Sequence, residues 1–260
     1  MFDPAPRLDP GSRHLLVSLE PPLAVVELNR KRQLNALSMA LRDELEGCLG
    51  SLESDDSIRA VVLTGGPDCF SAGFDLKEVL ETDFRAFGHR AVEFTEKTYF
   101  FKKPLVSAIG GVAYAGGFDL ALSGDLIVAS EAASLGRPEV RFGINPLLAK
   151  LWLRIGMARA LQLSLTGEFL TAQQALGIGL VDRVVPREQL LDAAKEEAAR
   201  LAQNPLPALL AVKRAARTVP FMDVRSATEY EFGLTAEIIA EGSVKSALRE
   251  YARTLGIVKE

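Results

Sequence analysis

Histidine and cysteine are nearly absent from this chain, with two of each among 260 residues. Cys48 and Cys69 are too few for a disulfide framework and stand too far from His14 and His89 for a metal signature. Two buried or idle thiols are expected, Cys48 on a helix and Cys69 in a loop, together with two ordinary surface histidines. Neither a Ser/His/Asp nor a Cys/His nucleophile set can be assembled from them. No apolar run approaches a membrane span, and Met1-Phe-Asp-Pro-Ala-Pro lacks the basic-then-apolar pattern of a signal peptide. No G-x-G-x-x-G follows a strand and no Gly-Lys-Ser/Thr occurs, which removes the Rossmann and P-loop readings. Basic charge is not in excess either: a formal charge of −4 argues against nucleic-acid binding as the main function. These absences make a metal-free cytoplasmic protein the expectation, with no membrane or nucleic-acid partner.

What is present is ordinary in bulk. Hydrophobic residues make up 48% and charged residues 25%, enough for a soluble chain to bury a sizeable core. The runs His14–Glu20 and Leu23–Asn29 meet at Glu20-Pro-Pro22 and predict a hairpin or paired strands. Ser38 is positioned to cap a helix through Leu52, whose Leu41, Leu45, Cys48, Leu49 and Leu52 fall near helical spacing. Arg59–Thr64, Pro104–Ile109 and Asp125–Ser130 read as short buried strands, with a helix over Asp83–Phe101 and another from Gly116 to about Ser123. That alternation is α/β. From Pro146 onward the chain turns helical, apart from a late strand expected within Leu180–Val185. Pro205 and Pro207 mark a boundary before helices at Ala208–Arg217 and Asp223–Ala240.

Three segments carry the chemistry: Phe70-Ser-Ala-Gly-Phe-Asp-Leu76, Ala113-Tyr-Ala-Gly-Gly-Phe-Asp-Leu-Ala121 and Gly136-Arg-Pro-Glu139. The first two bring glycine to a place where a strand ends and a helix begins, and free backbone N–H groups there can face a developing negative charge. Taken singly, each is equally a plain glycine turn or close helix–strand packing. Asp119 and Glu139 add carboxylates for proton transfer or water activation; the bland alternative is a pair of solvated surface acids. Asp75 reads as a helix cap.

Together with Leu28-Asn-Arg-Lys-Arg-Gln-Leu-Asn-Ala-Leu-Ser38 and the Ala175-x-x-x-Gly179-Leu-Val-Asp182 run, these segments resemble the crotonase (enoyl-CoA hydratase/isomerase) superfamily, in order, from about residue 14 to about 255. The resemblance implies a crotonase-like spiral of ββα repeats over 1–204 and a helical trimerisation region over 205–260, as a homotrimer or hexamer. It implies acyl-CoA substrates, with no cofactor beyond the CoA of the substrate. The thioester enolate would be held by the N–H groups of Phe74 and Gly116, with Glu139 as principal acid/base and Asp119 as its partner. Arg32, the backbone of Ala72, and Lys77 correspond to the CoA contacts, though Lys77 is equally a solvated helix lysine.

Four departures accompany the resemblance. Asp119 stands where a glutamate is usual. Lys31-Arg-Gln33 replaces Pro-Lys-Ala, and the aromatic residue and basic pair are missing from Glu241-Gly-Ser-Val-Lys-Ser246. The glycine-rich turn after the second glutamate becomes Gly143-Ile-Asn-Pro-Leu-Leu-Ala149, which places Leu147, Leu148 and nearby Trp152 where the acyl group is held, or simply packs a new helix. Hydration of a trans-2-enoyl-CoA is the reading these residues favour. Isomerisation, hydrolysis and C–C cleavage share the same enolate, and an RNA-binding or weakly catalytic scaffold is the alternative of another class.

Overall fold

The computed structural model describes residues 13–240 and 242–257. The N-terminal Met1–Pro6 segment and Glu241 therefore lie outside the described residues. The chain divides into two compact units, the first ending at Leu201 and the second beginning at Ala202.

The first unit opens with the hairpin β1 (Leu15–Glu20) and β2 (Leu23–Leu28), then α1 (Met39–Ser54), β3 (Ala60–Thr64) and β4 (Cys69–Ser71). It continues through α2 (Leu76–Glu81), α3 (Phe84–Tyr99), β5 (Leu105–Ile109), β6 (Val112–Tyr114), α4 (Gly116–Ala121), β7 (Leu126–Ser130) and β8 (Ser134–Gly136). A 3-10 turn over Pro138–Phe142 leads to α5 (Ala149–Ile155), α6 (Met157–Thr166), β9 (Phe169–Thr171), α7 (Ala172–Gly177), β10 (Arg183–Val185) and α8 (Leu190–Ala202).

The strands form two sheets. The larger has the order β1-β2-β3-β5-β7-β10, antiparallel only at β1–β2, and the smaller has β4-β6-β8-β9. The passes β3–β4, β5–β6 and β7–β8 each add one strand to the large sheet, one three-residue strand to the small sheet, and then a helix or turn. That is a ββα spiral. The central strands β3 and β5 are buried at every residue. This is why they read as unbroken apolar runs: a parallel strand covered on both faces loses the polar–apolar alternation.

Local chemistry explains the element ends. The Ser38 hydroxyl accepts the Leu41 N–H, and the apolar stripe Leu41, Leu45, Leu49 and Leu52 faces the core. Asp75 caps α2 by accepting the Lys77 N–H and also pairs with Arg30 at 3.1 Å. The Asp182 carboxylate accepts the Ile127 N–H at 2.6 Å, so the Ala175–Asp182 run secures the start of β7.

The expectations hold in outline and fail in detail. Cys69 belongs to β4, not a loop, and the late strand is confined to Arg183–Val185. Burial pushes the Cys48 thiol up to about 12 and the Cys69 thiol up to about 11, so neither is a thiolate at neutral pH. No helix among the described residues is long and apolar enough to cross a membrane.

The second unit comprises α9 (Leu206–Thr218), α10 (Val224–Ala240) and α11 (Ser243–Thr254). Arg214 of α9 pairs with Glu237 of α10 at 3.1 Å. On α10, Leu234 is buried and Ile238 half-buried, whereas Phe232 and Ile239 are exposed, as is Leu248 of α11, so the apolar side chains of these helices are only partly covered.

Candidate active site

The two glycine turns abut. Gly73 has φ +105°, and a Cβ built there would stand 3.0 Å from the Ala115 Cβ and 3.2 Å from the Gly116 amide nitrogen. A side chain would be strained by the φ and would crowd the neighbouring amide. Gly116 is the first residue of α4, preceded by Ala115 at φ +49°, an uncommon backbone for alanine. A Cβ at Gly116 would lie 2.8 Å from the Phe74 ring. Phe74 and Gly116 are thus neighbours, and neither N–H meets a protein acceptor among the described residues.

Asn35 organises this corner from the Leu34-Asn-Ala-Leu37 run. It is fully buried at φ +51°, and its amide donates to the carbonyls of Gly65 and Cys69, both at 3.0 Å. The Arg30 N–H donates to its Oδ1, and the Ser71 hydroxyl donates to its carbonyl at 2.8 Å. Asparagine tolerates left-handed backbone, which fits it to this place. Behind Phe74 lies Arg42, wholly buried, 5.3 Å from the Phe74 ring centroid and 5.5 Å from that of Phe87.

The carboxylates are not surface acids. Asp119 and Glu139 are 6% and 9% exposed. Asp119 lies on α4 with its Oδ1 accepting the Arg137 Nη2 at 2.8 Å, and the Arg137 side chain is only 1% exposed. The other end of that guanidinium donates to the Leu147 carbonyl. Lys150 of α5 reaches the Asp119 carbonyl and the Ser123 hydroxyl, each at 3.3 Å, and its ammonium sits 4.7 Å from the Tyr99 ring centroid. Burial pushes the Asp119 carboxyl upward, against the pull of Arg137 and Lys150.

Glu139 sits in the 3-10 turn, held near α4 because the Ala115 N–H donates to the Gly136 carbonyl at 3.0 Å. Its Oε2 is buried without a hydrogen-bond partner. Burial raises its pKa first and the neighbouring Asp119 charge raises it further, while its own backbone N–H and Arg137 oppose. A buried carboxyl with a free oxygen and a pKa raised by burial is suited to accepting and returning a proton.

The expected CoA contacts are accessible. Arg32 and Lys77 are exposed, and Ala72 is half-buried with its N–H donated to the Leu34 carbonyl at 3.0 Å. The acyl-pocket expectation divides. Leu148 joins Val140, Ile144, Pro146, Leu161 and Leu165 around an apolar cavity of about 320 Å³, whereas Leu147 and Trp152 do not line it. Leu148 and Trp152 pack against the core and Leu147 is 43% exposed. Among the described residues no cluster of His, Cys, Asp or Glu could hold a metal ion.

The profile of the enoyl-CoA hydratase/isomerase family matches residues 20–257. The chain belongs to that family. A probable enoyl-CoA hydratase of Rhizobium meliloti is 33% identical over 243 residues, covering 91% of this chain and 94% of that protein. A 2,3-dehydroadipyl-CoA hydratase of Escherichia coli is 37% identical over 207 residues, 78% of this chain and 81% of that protein. The crystal structure of an enoyl-CoA hydratase from Bacillus anthracis superposes with a TM-score of 0.88 at 32% identity, covering 93% of this chain and 97% of that one. The crotonase resemblance and the ββα spiral expected from it are thereby borne out.

Arg137 and Lys150 were passed over in the sequence. Arg137 stands inside the Gly136–Glu139 tetrad, but nothing local marks it as the partner of a carboxylate eighteen positions earlier.

Proposed function

We propose that this family member catalyses addition of water to a trans-2-enoyl-CoA, giving a 3-hydroxyacyl-CoA. The observation that carries the reading is the pairing of two unengaged N–H groups, Phe74 and Gly116, with the partnerless buried oxygen of Glu139. In this reading the thioester oxygen accepts both N–H groups, which stabilise the enolate as charge develops. Water adds to Cβ and its proton passes to Glu139. Glu139 then delivers a proton to Cα, so the carboxylate is restored and one water is consumed.

Arg32, Lys77 and the backbone of Ala72 are assigned to the CoA moiety, with Leu148 and its apolar neighbours on the acyl side. CoA enters as part of the substrate, with no further cofactor, and the cytoplasm is the assigned compartment. A second reading, double-bond isomerisation by Glu139 alone, is favoured by one observation: Asp119 Oδ1 is already committed to Arg137. A panel of acyl-CoAs in ¹⁸O- and deuterium-labelled water separates the two. Hydration places ¹⁸O in the product, and isomerisation leaves only deuterium.

Two further outcomes are expected. Calorimetry should show tighter binding of an acyl-CoA than of its free acid, and equal binding would remove the nucleotide and oxyanion assignments. Exposed Phe232, Ile239 and Leu248 on the C-terminal helices support assembly by rotation into a trimer or hexamer. Light scattering at micromolar concentration should give three or six copies, and truncation near Pro220 should cause aggregation or loss of activity. An active monodisperse monomer would refute the assembly.

A further inference from the structure

We propose that Arg137 is a positioning residue that holds Asp119 as its counter-ion and so reserves Glu139 as the group that moves protons; the proposal rests on the hydratase/isomerase reading above. A guanidinium does not give up its proton in a protein, so a buried Arg137 requires a carboxylate beside it. Two carboxylates stand within its electrostatic reach, Asp119 and Glu139. The 2.8 Å contact is to Asp119. Glu139 keeps its Oε2 without a partner.

The arrangement divides labour between the two acids by geometry. Lys150 strengthens it from the far side, binding the Asp119 carbonyl and the Ser123 hydroxyl, so two buried cations converge on the segment that carries Asp119. A proton on Asp119 Oδ1 would displace the Arg137 hydrogen bond and leave the guanidinium to seek Glu139. Proton traffic through Asp119 therefore works against the pair, while traffic through Glu139 leaves it intact.

The same guanidinium also donates to the Leu147 carbonyl. That carbonyl belongs to the stretch between the Glu139 turn and α5, whose Ile144, Pro146 and Leu148 line the apolar cavity. Arg137 is thus a brace between the acid pair and the segment assigned to the acyl side. A lysine could preserve the charge beside Asp119, but its single ammonium lacks the planar fork that spans both acceptors.

The test is a set of four variants, with turnover of an enoyl-CoA measured per folded enzyme: Asp119→Asn, Arg137→Met, Arg137→Lys and the double Asp119→Asn/Arg137→Met. Asp119→Asn leaves a charged guanidinium whose remaining partner is Glu139, so turnover falls. Removing Arg137 as well releases Glu139, and the double variant should exceed Asp119→Asn by about tenfold. Arg137→Lys should hold kcat within a few-fold of wild type while raising KM, because the Leu147 contact is lost and the charge is kept. If the double variant is no better than Asp119→Asn, Asp119 itself carries protons and the proposal is overturned. A parallel fall of kcat with unchanged KM in Arg137→Lys would overturn the brace.

A substrate-free measurement separates this idea from the proposed reaction. Carboxyl ¹³C NMR of glutamate-labelled protein, with the Glu139 signal assigned by Glu139→Gln, should show the Glu139 midpoint dropping in Asp119→Asn and rising again in the double variant. An unmoved midpoint would overturn the counter-ion role even if the enzyme proved active. A moved midpoint in a protein that turns over no enoyl-CoA would leave the pair standing and overturn the hydratase reading instead.

Discussion

Glu139→Gln is expected to lower turnover by about 10²–10⁴-fold, the usual loss when a positioned acid/base group is removed. The loss should exceed that of Asp119→Asn, because Asp119 Oδ1 is engaged by Arg137 whereas Glu139 Oε2 has no partner. The same substitution should leave the folded state at least as stable at neutral pH. Burial raises the folded-state pKa of Glu139 above its unfolded value, so the native protein binds more protons than the unfolded chain between those two values. Stability contributed by the protonated carboxyl is complete below the unfolded pKa and is lost as pH rises through the folded one. Thermal stability of wild type should therefore fall with rising pH across that window, and Glu139→Gln should flatten that part of the profile. Equal, small losses of turnover in both variants, with folding intact, would mean that neither residue performs the chemistry. An unchanged pH slope in Glu139→Gln would show that other carboxyls dominate the linkage.

Gly116→Pro is expected to cost about 10²–10³-fold in turnover, since it deletes one of the two amide donors assigned to the enolate oxygen. Proline at the first position of a helix is tolerated by the backbone, and Gly116 holds that position in α4. The complication is steric: any Cβ at this residue would stand 2.8 Å from the Phe74 ring. Gly116→Ala imposes the same contact while keeping the N–H. The ratio of turnover between alanine and proline variants therefore isolates the donor from the collision. A ratio near one would remove the Gly116 amide from the mechanism, whatever the absolute losses.

The parts of this protein legible in the sequence are those whose cause is local. Leu41, Leu45, Leu49 and Leu52 repeat at helical spacing behind a Ser38 cap, and α1 follows. Ala60–Thr64 and Leu105–Ile109 are short enough and apolar enough to be buried strands, and they are. Gly73 and Gly116 mark tight turns, Gly73 by its left-handed φ and Gly116 by the Phe74 ring that stands where a Cβ would go.

The small sheet was not legible. Its strands β4, β6, β8 and β9 are three residues long, too short for any periodicity to emerge, and they exist because the large-sheet strand before β4, β6 and β8, or the helix before β9, delivers the chain to a waiting edge. Nor did the apolar content of α10 show which side is covered: Leu234 and Ile238, four residues apart, share the covered face, whereas Phe232, two residues from Leu234 and so on the opposite side, is exposed.

The site divides along the same line. Residue type and order, with the family resemblance they carry, already proposed that amide donors at Phe74 and Gly116 and carboxyls at Asp119 and Glu139 form one constellation. Only the tertiary structure decided what each carboxyl is free to do. Arg137 and Asp119 are distant in sequence and meet through the β6–β8 pairing, which delivers α4 and the Pro138–Phe142 turn to one place. A buried charge must find its counter-charge wherever the fold brings one within reach. Asp119 took Arg137, and the free oxygen was left on Glu139.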